Sequence, residues 1–316
     1  MSTQQPWTQA AMPDQTGKRA IVTGANSGLG YEVTLALAEK GAEVIMACRN
    51  LDKANAAAQT IRRQAPTANL TVAELDLANL ASIRHFADHF RQKYTTMDIL
   101  CNNAGIMAIP RRETADGFEM QSGTNHLGHF ALTGLLLEPL LQTPGARVVS
   151  VSSGLHERGT INFDDLMGQQ YYDKWGAYSQ SKLANLLFAY ELQRKFSAAG
   201  VDTISVGAHP GYAATNLQSV GPAQEGSWLA RVGMAIANTL FAQSAAAGAR
   251  PILYAAVMPD VNGCDYLGPT GFQGMRGAPG KVRSNAESYN EEIAARLWQE
   301  SVRLTGIGYE RLEVKQ

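Results

Sequence analysis

Short apolar runs alternate with longer amphipathic segments along most of the chain, beginning near Lys18. The apolar runs have the length of buried strands, and the amphipathic segments repeat their apolar residues at helical spacing. This alternation is typical of a parallel sheet that is covered by helices on both faces. We therefore predict an α/β fold with a doubly wound, mostly parallel sheet of about seven strands. The predicted strands are 19–24, 42–48, a run that ends at 77, 98–105, 147–153, 201–208 and about 262–267.

A glycine-rich segment joins the first predicted strand to the first predicted helix. It reads Thr23-Gly-Ala-Asn-Ser-Gly-Leu-Gly30. Glycines at this turn let the backbone bend sharply, and they let a pyrophosphate approach the helix N-terminus, where unpaired N–H groups favour an anion. A plain glycine-rich turn is the alternative. The segment predicts a Rossmann-like dinucleotide site, and its candidate residues are Gly24, Asn26, Ser27, Gly28, Leu29 and Gly30.

The end of the second predicted strand bears on the choice of dinucleotide. An acidic residue there would hold the ribose hydroxyls of NAD, whereas a nearby arginine accommodates the 2′-phosphate of NADP. The sequence is Ala47-Cys-Arg-Asn50, so no carboxylate is present and Arg49 follows the strand at once. This pattern favours NADP(H) over NAD(H). An Arg49 that only faces water is the alternative, because most arginines are exposed.

Polar residues also follow the third and fourth predicted strands. Asp76 and the run Asn102-Asn-Ala-Gly105 come at carboxyl ends of strands, the edge where open α/β sheets bind ligands. In the next helical segment, His126 and His129 have the i, i+3 spacing of a metal pair. The sequence offers no third ligand beside them, so we predict no metal site.

Tyr178 and Lys182 are four residues apart in a predicted helix. At this spacing their side chains project from the same face and can act on one substrate atom. A cation close to a phenol favours phenolate and lowers the pKa of the tyrosine, so Lys182 could turn Tyr178 into a general acid and base. The apolar stripe Leu183, Leu186 and Leu187 falls on a different face, which predicts that the pair lies off the core-facing side.

Composition narrows the class of protein. The chain has 316 residues, 45% hydrophobic and 17% charged, with a formal net charge of −1, which indicates a globular protein and argues against a nucleic-acid partner. Three widely spaced cysteines suit buried thiols in a reducing cytosol. The most apolar run, 131–141, is interrupted by Glu138 and Pro139, so we expect no membrane anchor and a cytoplasmic location. A dimer or tetramer of identical chains is compatible with the sequence.

Taken in order, five motifs resemble the short-chain dehydrogenase/reductase family over roughly residues 17–270. They are the glycine-rich segment, Asn102-Asn-Ala-Gly105, a serine after the fifth strand, Tyr178-x-x-x-Lys182 and Pro210-Gly211. Within the family, Asn125-His-Leu-Gly-His-Phe, Ser152-Ser-Gly-Leu-His156 and Ala-Arg-Leu-Trp298-Gln-Glu-Ser are most similar to the retinol dehydrogenase branch, which is close to the protochlorophyllide reductases.

The resemblance implies a catalytic tetrad of Asn125, Ser153, Tyr178 and Lys182. In this family the tyrosine gives or takes the proton, the serine polarises the carbonyl, the lysine lowers the pKa of the tyrosine and holds the nicotinamide ribose, and the asparagine supports a relaying water. Ser153 is chosen over Ser152 for its spacing from the tyrosine. The further implied cofactor contacts are Asp76, Leu77, Asn103, Ala104, Gly105, Pro210, Gly211 and Thr215.

These observations predict an NADP(H)-dependent oxidoreductase that interconverts a carbonyl and an alcohol on an apolar small molecule. Ala184 stands where protochlorophyllide reductases carry a cysteine, which makes light-driven reduction the weaker alternative. A protein that only binds and senses NADPH is another, and the intact tetrad argues against it.

Three parts of the chain are expected. Residues 1–16 form a polar N-terminal extension, residues 17–270 form a single dinucleotide-binding catalytic domain, and residues 271–316 form a C-terminal extension with one helix at about 287–305. Within the domain, residues at about 216–243 contain the apolar run 224–241. This run fits either a lid over an apolar substrate or a surface that packs against the protein or a second copy.

Overall fold

The computed structural model describes residues 7–212 and 243–313, and its centre is one eight-stranded sheet. The strands are β1 (Arg19–Thr23), β2 (Glu43–Cys48), β3 (Asn69–Glu74), β4 (Ile99–Asn102), β5 (Arg147–Val151), β6 (Ile204–Ala208), β7 (Tyr266–Pro269) and β8 (Pro279–Val282). Their order is β3-β2-β1-β4-β5-β6-β7-β8, and only β7 and β8 pair antiparallel. The predicted mostly parallel α/β fold is confirmed, with one strand more than expected.

Helices cover both faces of this sheet. They are α1 (Gly28–Glu39), α2 (Leu51–Gln64), α3 (Leu80–Lys93), α4 (Met120–Ser122), α5 (Gly128–Leu135), α6 (Leu137–Leu141), α7 (Lys174–Ala198), α8 (Ala245–Val257) and α9 (Glu291–Thr305). One π-helical turn, Gly123–Leu127, separates α4 from α5. Among the helices of the described ranges, none has the length and apolarity that crossing a membrane requires.

Two apolar cores lie on opposite faces of the sheet. Neighbouring strand residues alternate between them, so that Val22 belongs to the first core and Ile21 to the second. The first core packs under α1, α2 and α8, and the second under α3, α5 and α7. Because both faces are covered, the carboxyl ends of the parallel strands are the place where a ligand can reach the sheet.

Helix α7 is buried on almost every side from Tyr178 to Leu192. Tyr178 and Lys182 are buried as well, but they belong to none of the apolar clusters that contain Leu183, Leu186 and Leu187. Tyr178 is 4% exposed and Lys182 is 3% exposed. Helix α9 adds a second layer over the apolar stripe of α7, where Leu183 and Leu187 pack against Leu297. The reactive pair is therefore inside the protein.

The chain after residue 270 adds an edge strand as well as a helix. β8 pairs with β7 from Tyr266↔Val282 to Pro269↔Pro279, and its sequence shows no apolar alternation that would predict a strand. Helix α9 begins at Glu291, after a 3₁₀ turn at Ala286–Tyr289, and it ends at Gly306, which has a φ of 63°. Thr215 and the apolar run 224–241 lie outside the described residues.

Candidate active site

One cavity of about 1950 Å³ runs along the carboxyl ends of the strands. With the exception of Asn125, every predicted site residue within the described ranges lines it. These are Gly24, Asn26, Ser27, Gly28, Leu29, Gly30, Arg49, Asp76, Leu77, Asn103, Ala104, Gly105, Ser153, Tyr178, Lys182, Pro210 and Gly211. The fold thus brings the glycine-rich segment and the tyrosine and lysine pair to the same cavity.

The glycine-rich segment forms the entry to α1 and is fixed from β4. Ser27 is the N-cap of α1 but makes no side-chain capping bond, so N–H groups of the first turn have no partner within the helix. A Cβ on Gly30 would lie 2.3 Å from the Gly24 carbonyl oxygen, which explains the glycine. Thr23 Oγ1 accepts hydrogen bonds from the backbone N–H groups of Asn103 and Ala104, both at 2.9 Å. The unpaired donors and close backbone fit a pyrophosphate.

Two cations stand where the cavity passes the end of β2. Arg49 follows the strand and is exposed, and Lys53 is exposed on the first turn of α2. The turn is fixed because the Asn50 side chain accepts a 2.9 Å bond from the Lys53 backbone N–H. Lys53 is not among the residues predicted from the sequence. The sequence does contain a signal for it: Asn50 is a typical N-cap residue, and a helix that begins there places Lys53 on its first turn, close to Arg49.

Tyr178 and Lys182 are held by burial and by the end of β5. The Lys182 Nζ lies 5.7 Å from the centre of the Tyr178 ring and donates a 3.1 Å hydrogen bond to the Val151 carbonyl oxygen. Burial raises the pKa of Tyr178 to about 12, and the Ser153 hydroxyl opposes this by a hydrogen bond that lowers it. Burial also lowers the pKa of Lys182 to about 8. The predicted lowering of the Tyr178 pKa is wrong, because loss of hydration disfavours phenolate here.

The two serines after β5 have different partners. The Ser152 hydroxyl donates a 2.8 Å bond to the Lys182 carbonyl oxygen, and the residue is buried. Ser153 is half-buried, lines the cavity and acts on the Tyr178 phenol. Ser152 thus attaches β5 to α7, whereas the Ser153 side chain is available inside the cavity.

Asn125 sits in the π-helical turn behind the cavity wall. Its side chain accepts a 2.8 Å bond from the Ile106 backbone N–H and donates 2.9 Å bonds to the Ile106 carbonyl oxygen and Ser181 Oγ. A Cβ on Gly105 would lie 3.0 Å from Asn125 Oδ1 and 3.4 Å from Lys182 Nζ. Asn125 therefore reaches the site through contacts with the strand end, and Gly105 leaves room between it and Lys182.

The paired histidines of this segment are structural. His126 Nε2 bonds Ser301 Oγ of α9 at 2.9 Å, while His129 bonds Thr23 Oγ1 and the Asn125 carbonyl oxygen at 2.9 and 3.0 Å. Burial is the main cause that lowers their pKa values, to about 3 and about 4. In residues 7–212 and 243–313, no group of three or more His, Cys, Asp or Glu could hold a metal ion.

Comparison with known proteins agrees with this geometry. The family profile described as short chain dehydrogenase matches residues 18–225. The chain belongs to the short-chain dehydrogenase family. It is 41% identical over 293 residues to retinol dehydrogenase 13 of Homo sapiens, and the alignment covers 92% of this chain and 85% of that protein. Retinol dehydrogenase 11 of Mus musculus is 40% identical over 291 residues, and that alignment covers 92% of this chain and 87% of the mouse protein. The resemblance to the retinol dehydrogenase branch is confirmed.

A crystal structure of an uncharacterised protein from Mycobacterium paratuberculosis is also similar. It is 43% identical, with a TM-score of 0.80, and the match covers 96% of this chain and 99% of that one. As a short-chain dehydrogenase, the protein is an oxidoreductase that uses a nicotinamide cofactor on a small-molecule substrate.

Aromatic side chains beyond the predicted set also line the cavity of this short-chain dehydrogenase, among them His156, Trp175, His209 and Tyr266. The rings of His209 and Tyr266 lie 5.0 Å apart, and burial lowers the pKa of His209 to about 4. They come from four separate elements, so no local spacing relates them. The available signal was the position of His156 and His209 just after β5 and β6.

Proposed function

We propose that this short-chain dehydrogenase is an NADP(H)-dependent enzyme that interconverts a carbonyl and an alcohol on an apolar small molecule. The observation that carries the proposal is the meeting of the Tyr178 phenol, the Ser153 hydroxyl and the Lys182 ammonium in the cavity that also contains the glycine-rich segment. A hydride transfer to a carbonyl needs a proton donor, a group that binds the developing negative charge and a dry pocket.

Each group has a defined part in the proposed reaction. In the reducing direction Tyr178, which its high pKa keeps neutral, donates its proton to the carbonyl oxygen. Ser153 donates a hydrogen bond to the same oxygen and stabilises its negative charge. In the oxidising direction Tyr178 must lose its proton, and the nearby charge of Lys182 favours phenolate. A bound nicotinamide supplies or accepts the hydride.

Apolar side chains support the substrate class. The wall of the cavity around and beyond Tyr178 includes Ile106, Met107, Leu155, Trp175, Pro269, Met275 and Val282. Such a wall holds an apolar molecule and keeps water from the reacting atoms. The relatives at about 40% identity are named for retinol, a long apolar alcohol.

Arg49 and Lys53 support the choice of NADP(H). Both are exposed at the end of the cavity next to the glycine-rich segment, and neither forms an ion pair in the described residues. A guanidinium can bind a phosphate through two parallel hydrogen bonds, and a neighbouring ammonium adds a second charge. The segment Ala47-Cys-Arg-Asn50 at this strand end contains no carboxylate that would favour NAD(H).

The test is a panel of aldehydes, ketones and alcohols, matched in size and differing in polarity, assayed with NADPH and NADH by nicotinamide absorbance. We expect apolar aldehydes to give the highest kcat/KM with NADPH, at equal rates in light and darkness. Tyr178→Phe controls for contaminating reductases. A folded protein that binds NADPH tightly and turns over no carbonyl would instead support the non-catalytic sensor.

A further inference from the structure

We propose that His156 and Asn285 position Ser153, so that the C-terminal segment 283–290 is a working part of the active site. The inference rests on the proposed function, since it concerns the serine assigned there to the carbonyl. It makes His156 a positioning residue, which acts on the reaction through Ser153 and not by touching the substrate oxygen.

The first step is the contact between His156 and Ser153. Both belong to the turn that follows β5, and His156 is 2% exposed although its surface borders the cavity. The imidazole Nδ1 lies 2.6 Å from the Ser153 carbonyl oxygen, and the His156 backbone N–H donates to the same oxygen at 3.0 Å. Two donors from one residue therefore fix the Ser153 peptide group.

The contact between Asn285 and the His156 imidazole decides which ring nitrogen carries the proton. The Asn285 backbone N–H points at His156 Nε2 from 3.3 Å, and a backbone N–H can only donate. Nε2 must therefore accept, which leaves the proton on Nδ1, where it is donated to the Ser153 oxygen. The Asn285 side chain adds a 3.2 Å bond to the His156 carbonyl oxygen. Burial lowers the pKa of His156 and keeps this neutral form.

Asn285 is itself held by hydrogen bonds to Ser288. Its Oδ1 accepts a 3.1 Å bond from the Ser288 backbone N–H, and its carbonyl oxygen accepts a 2.6 Å bond from Ser288 Oγ. Ser288 Oγ bonds Ser284 Oγ at 2.6 Å, which bonds the Tyr190 hydroxyl at 2.9 Å. Tyr190 belongs to α7, the helix of Tyr178. The contacts thus form a closed path from Ser153 to the helix that carries the proton donor.

This closed path sets the distance between the two reacting side chains. A serine hydroxyl can assist at the carbonyl only if its backbone holds it within hydrogen-bond reach, and misplacement by about 1 Å costs about 10²-fold in rate. An Asn side chain at position 156 can place an N–H near the position of His Nδ1 and so keep the hydrogen bond to the Ser153 carbonyl oxygen. A Gln side chain reaches the position of Nε2 and loses that bond. Comparing the two variants therefore separates the contact with Ser153 from the packing of the imidazole ring.

The experiment compares His156→Asn, His156→Gln and Asn285→Ala with wild type on its best carbonyl substrate. We expect Gln to lower kcat roughly 10- to 100-fold and Asn about threefold or less, with Asn285→Ala between them and the Kd of NADPH unchanged in all three. The exposed His89 of α3, changed to Gln, is the matched control and should leave kcat unchanged. Thermal unfolding of each variant measures the fraction that is folded at the assay temperature.

A double-mutant cycle decides whether the effect passes through the serine. In a Ser153→Ala background, His156→Gln should cost less than about threefold more in kcat, because the group that it positions is gone. Equal losses for Asn and Gln, or a loss that persists without the Ser153 hydroxyl, would overturn the proposal and assign His156 to packing. Absence of carbonyl turnover by wild type would refute the proposed function itself, a separate outcome.

Discussion

The two ends of the cavity are built in different ways. The end that we propose to hold the cofactor, called here the cofactor end, uses the contiguous segment Gly24–Gly30 together with Arg49 and Lys53, and these two cations are exposed. The opposite end collects Ser153 after β5, Tyr178 and Lys182 from α7, and side chains from β7 and the segment at 285. One end is a property of local sequence, whereas the other exists only when distant elements pack together.

Burial gives the two ends different electrostatics. Loss of hydration raises the pKa of Tyr178 to about 12 and lowers those of Lys182 and His209 to about 8 and about 4. At the exposed end, Arg49 and Lys53 are in contact with water, and loss of hydration plays no comparable part. Changes at the buried end should therefore affect rate, and changes at the exposed end should affect cofactor choice.

The largest effect is expected at Tyr178. Tyr178→Phe removes the proton donor and should lower kcat by about 10²–10⁴, while the Kd of NADPH stays nearly the same. Lys182→Ala should impair both kcat and NADPH binding, since it removes the cation beside the Tyr178 phenol that is also expected to hold the nicotinamide ribose. Steady-state kinetics and a fluorescence titration with NADPH measure the two quantities. A Phe variant that keeps more than about a tenth of the wild-type kcat would remove Tyr178 from its role.

The neighbouring serines provide a matched pair for the second effect. Ser153→Ala should lower kcat by about 10²–10³, the usual cost of removing one donor to a developing oxyanion. Ser152→Ala removes instead the bond to the Lys182 carbonyl oxygen and should cost about 1 kcal/mol of the free energy of unfolding, with kcat little changed. Kinetics and urea unfolding of both variants make the comparison. Losses of kcat in the reverse order would show that Ser152 is the residue in contact with substrate.

At the exposed end the expected effect is on cofactor preference. A charge-assisted contact contributes about 1.5–3 kcal/mol, which corresponds to about a 10- to 150-fold preference for NADPH over NADH in kcat/KM. Arg49→Ala should remove most of this preference and leave kcat with NADPH little altered, and Lys53→Ala should remove a smaller part. Arg63→Ala is the control for loss of a positive charge, because Arg63 is exposed near the other end of α2, and this variant should keep the wild-type preference. An unchanged ratio in the Arg49 variant would mean that its side chain only faces water.

The smallest effect is on the pH dependence of stability. His209 is neutral when folded, because its pKa of about 4 lies below the value of about 6.5 in the unfolded chain. The unfolded chain therefore binds the proton first, so this stability is present above about pH 6.5 and is lost as pH falls towards 4. The slope is at most about 1.4 kcal/mol per pH unit for one histidine.

His209→Asn tests this slope, since the Asn oxygen can accept the bond that the Gly211 backbone N–H makes to His209 Nδ1. Urea unfolding at pH 7 and pH 5 should show that the variant loses less stability on acidification than wild type by about 2 kcal/mol. The exposed His89, changed to Gln, should behave as wild type does. An identical loss in the His209 variant and wild type would contradict the assignment of a neutral, buried His209.

The sequence predicts the cofactor end more completely than the opposite end. The glycine-rich segment and Arg49 could be placed because strand, turn and helix follow one another in the chain. The direction of the Tyr178 pKa could not, because it depends on how deeply the folded protein buries the phenol, which the spacing of Tyr178 and Lys182 does not encode. Asn285 was missed for the same reason: its role depends on the β7 and β8 hairpin, and the four residues of β8 carry no strand pattern.

The position of β1 between β2 and β4 in the sheet has a consequence for synthesis of the chain. β1 pairs with β2, which follows soon after, and with β4, which begins 76 residues after β1 ends, from Thr23 to Ile99. At a synthesis rate of about 5–20 residues per second, one edge of β1 waits roughly 4–15 s for its partner. An unpaired apolar strand edge is a template for aggregation. A chaperone that binds the nascent chain before Ile99 is synthesised would therefore protect this edge of β1 until β4 can pair with it.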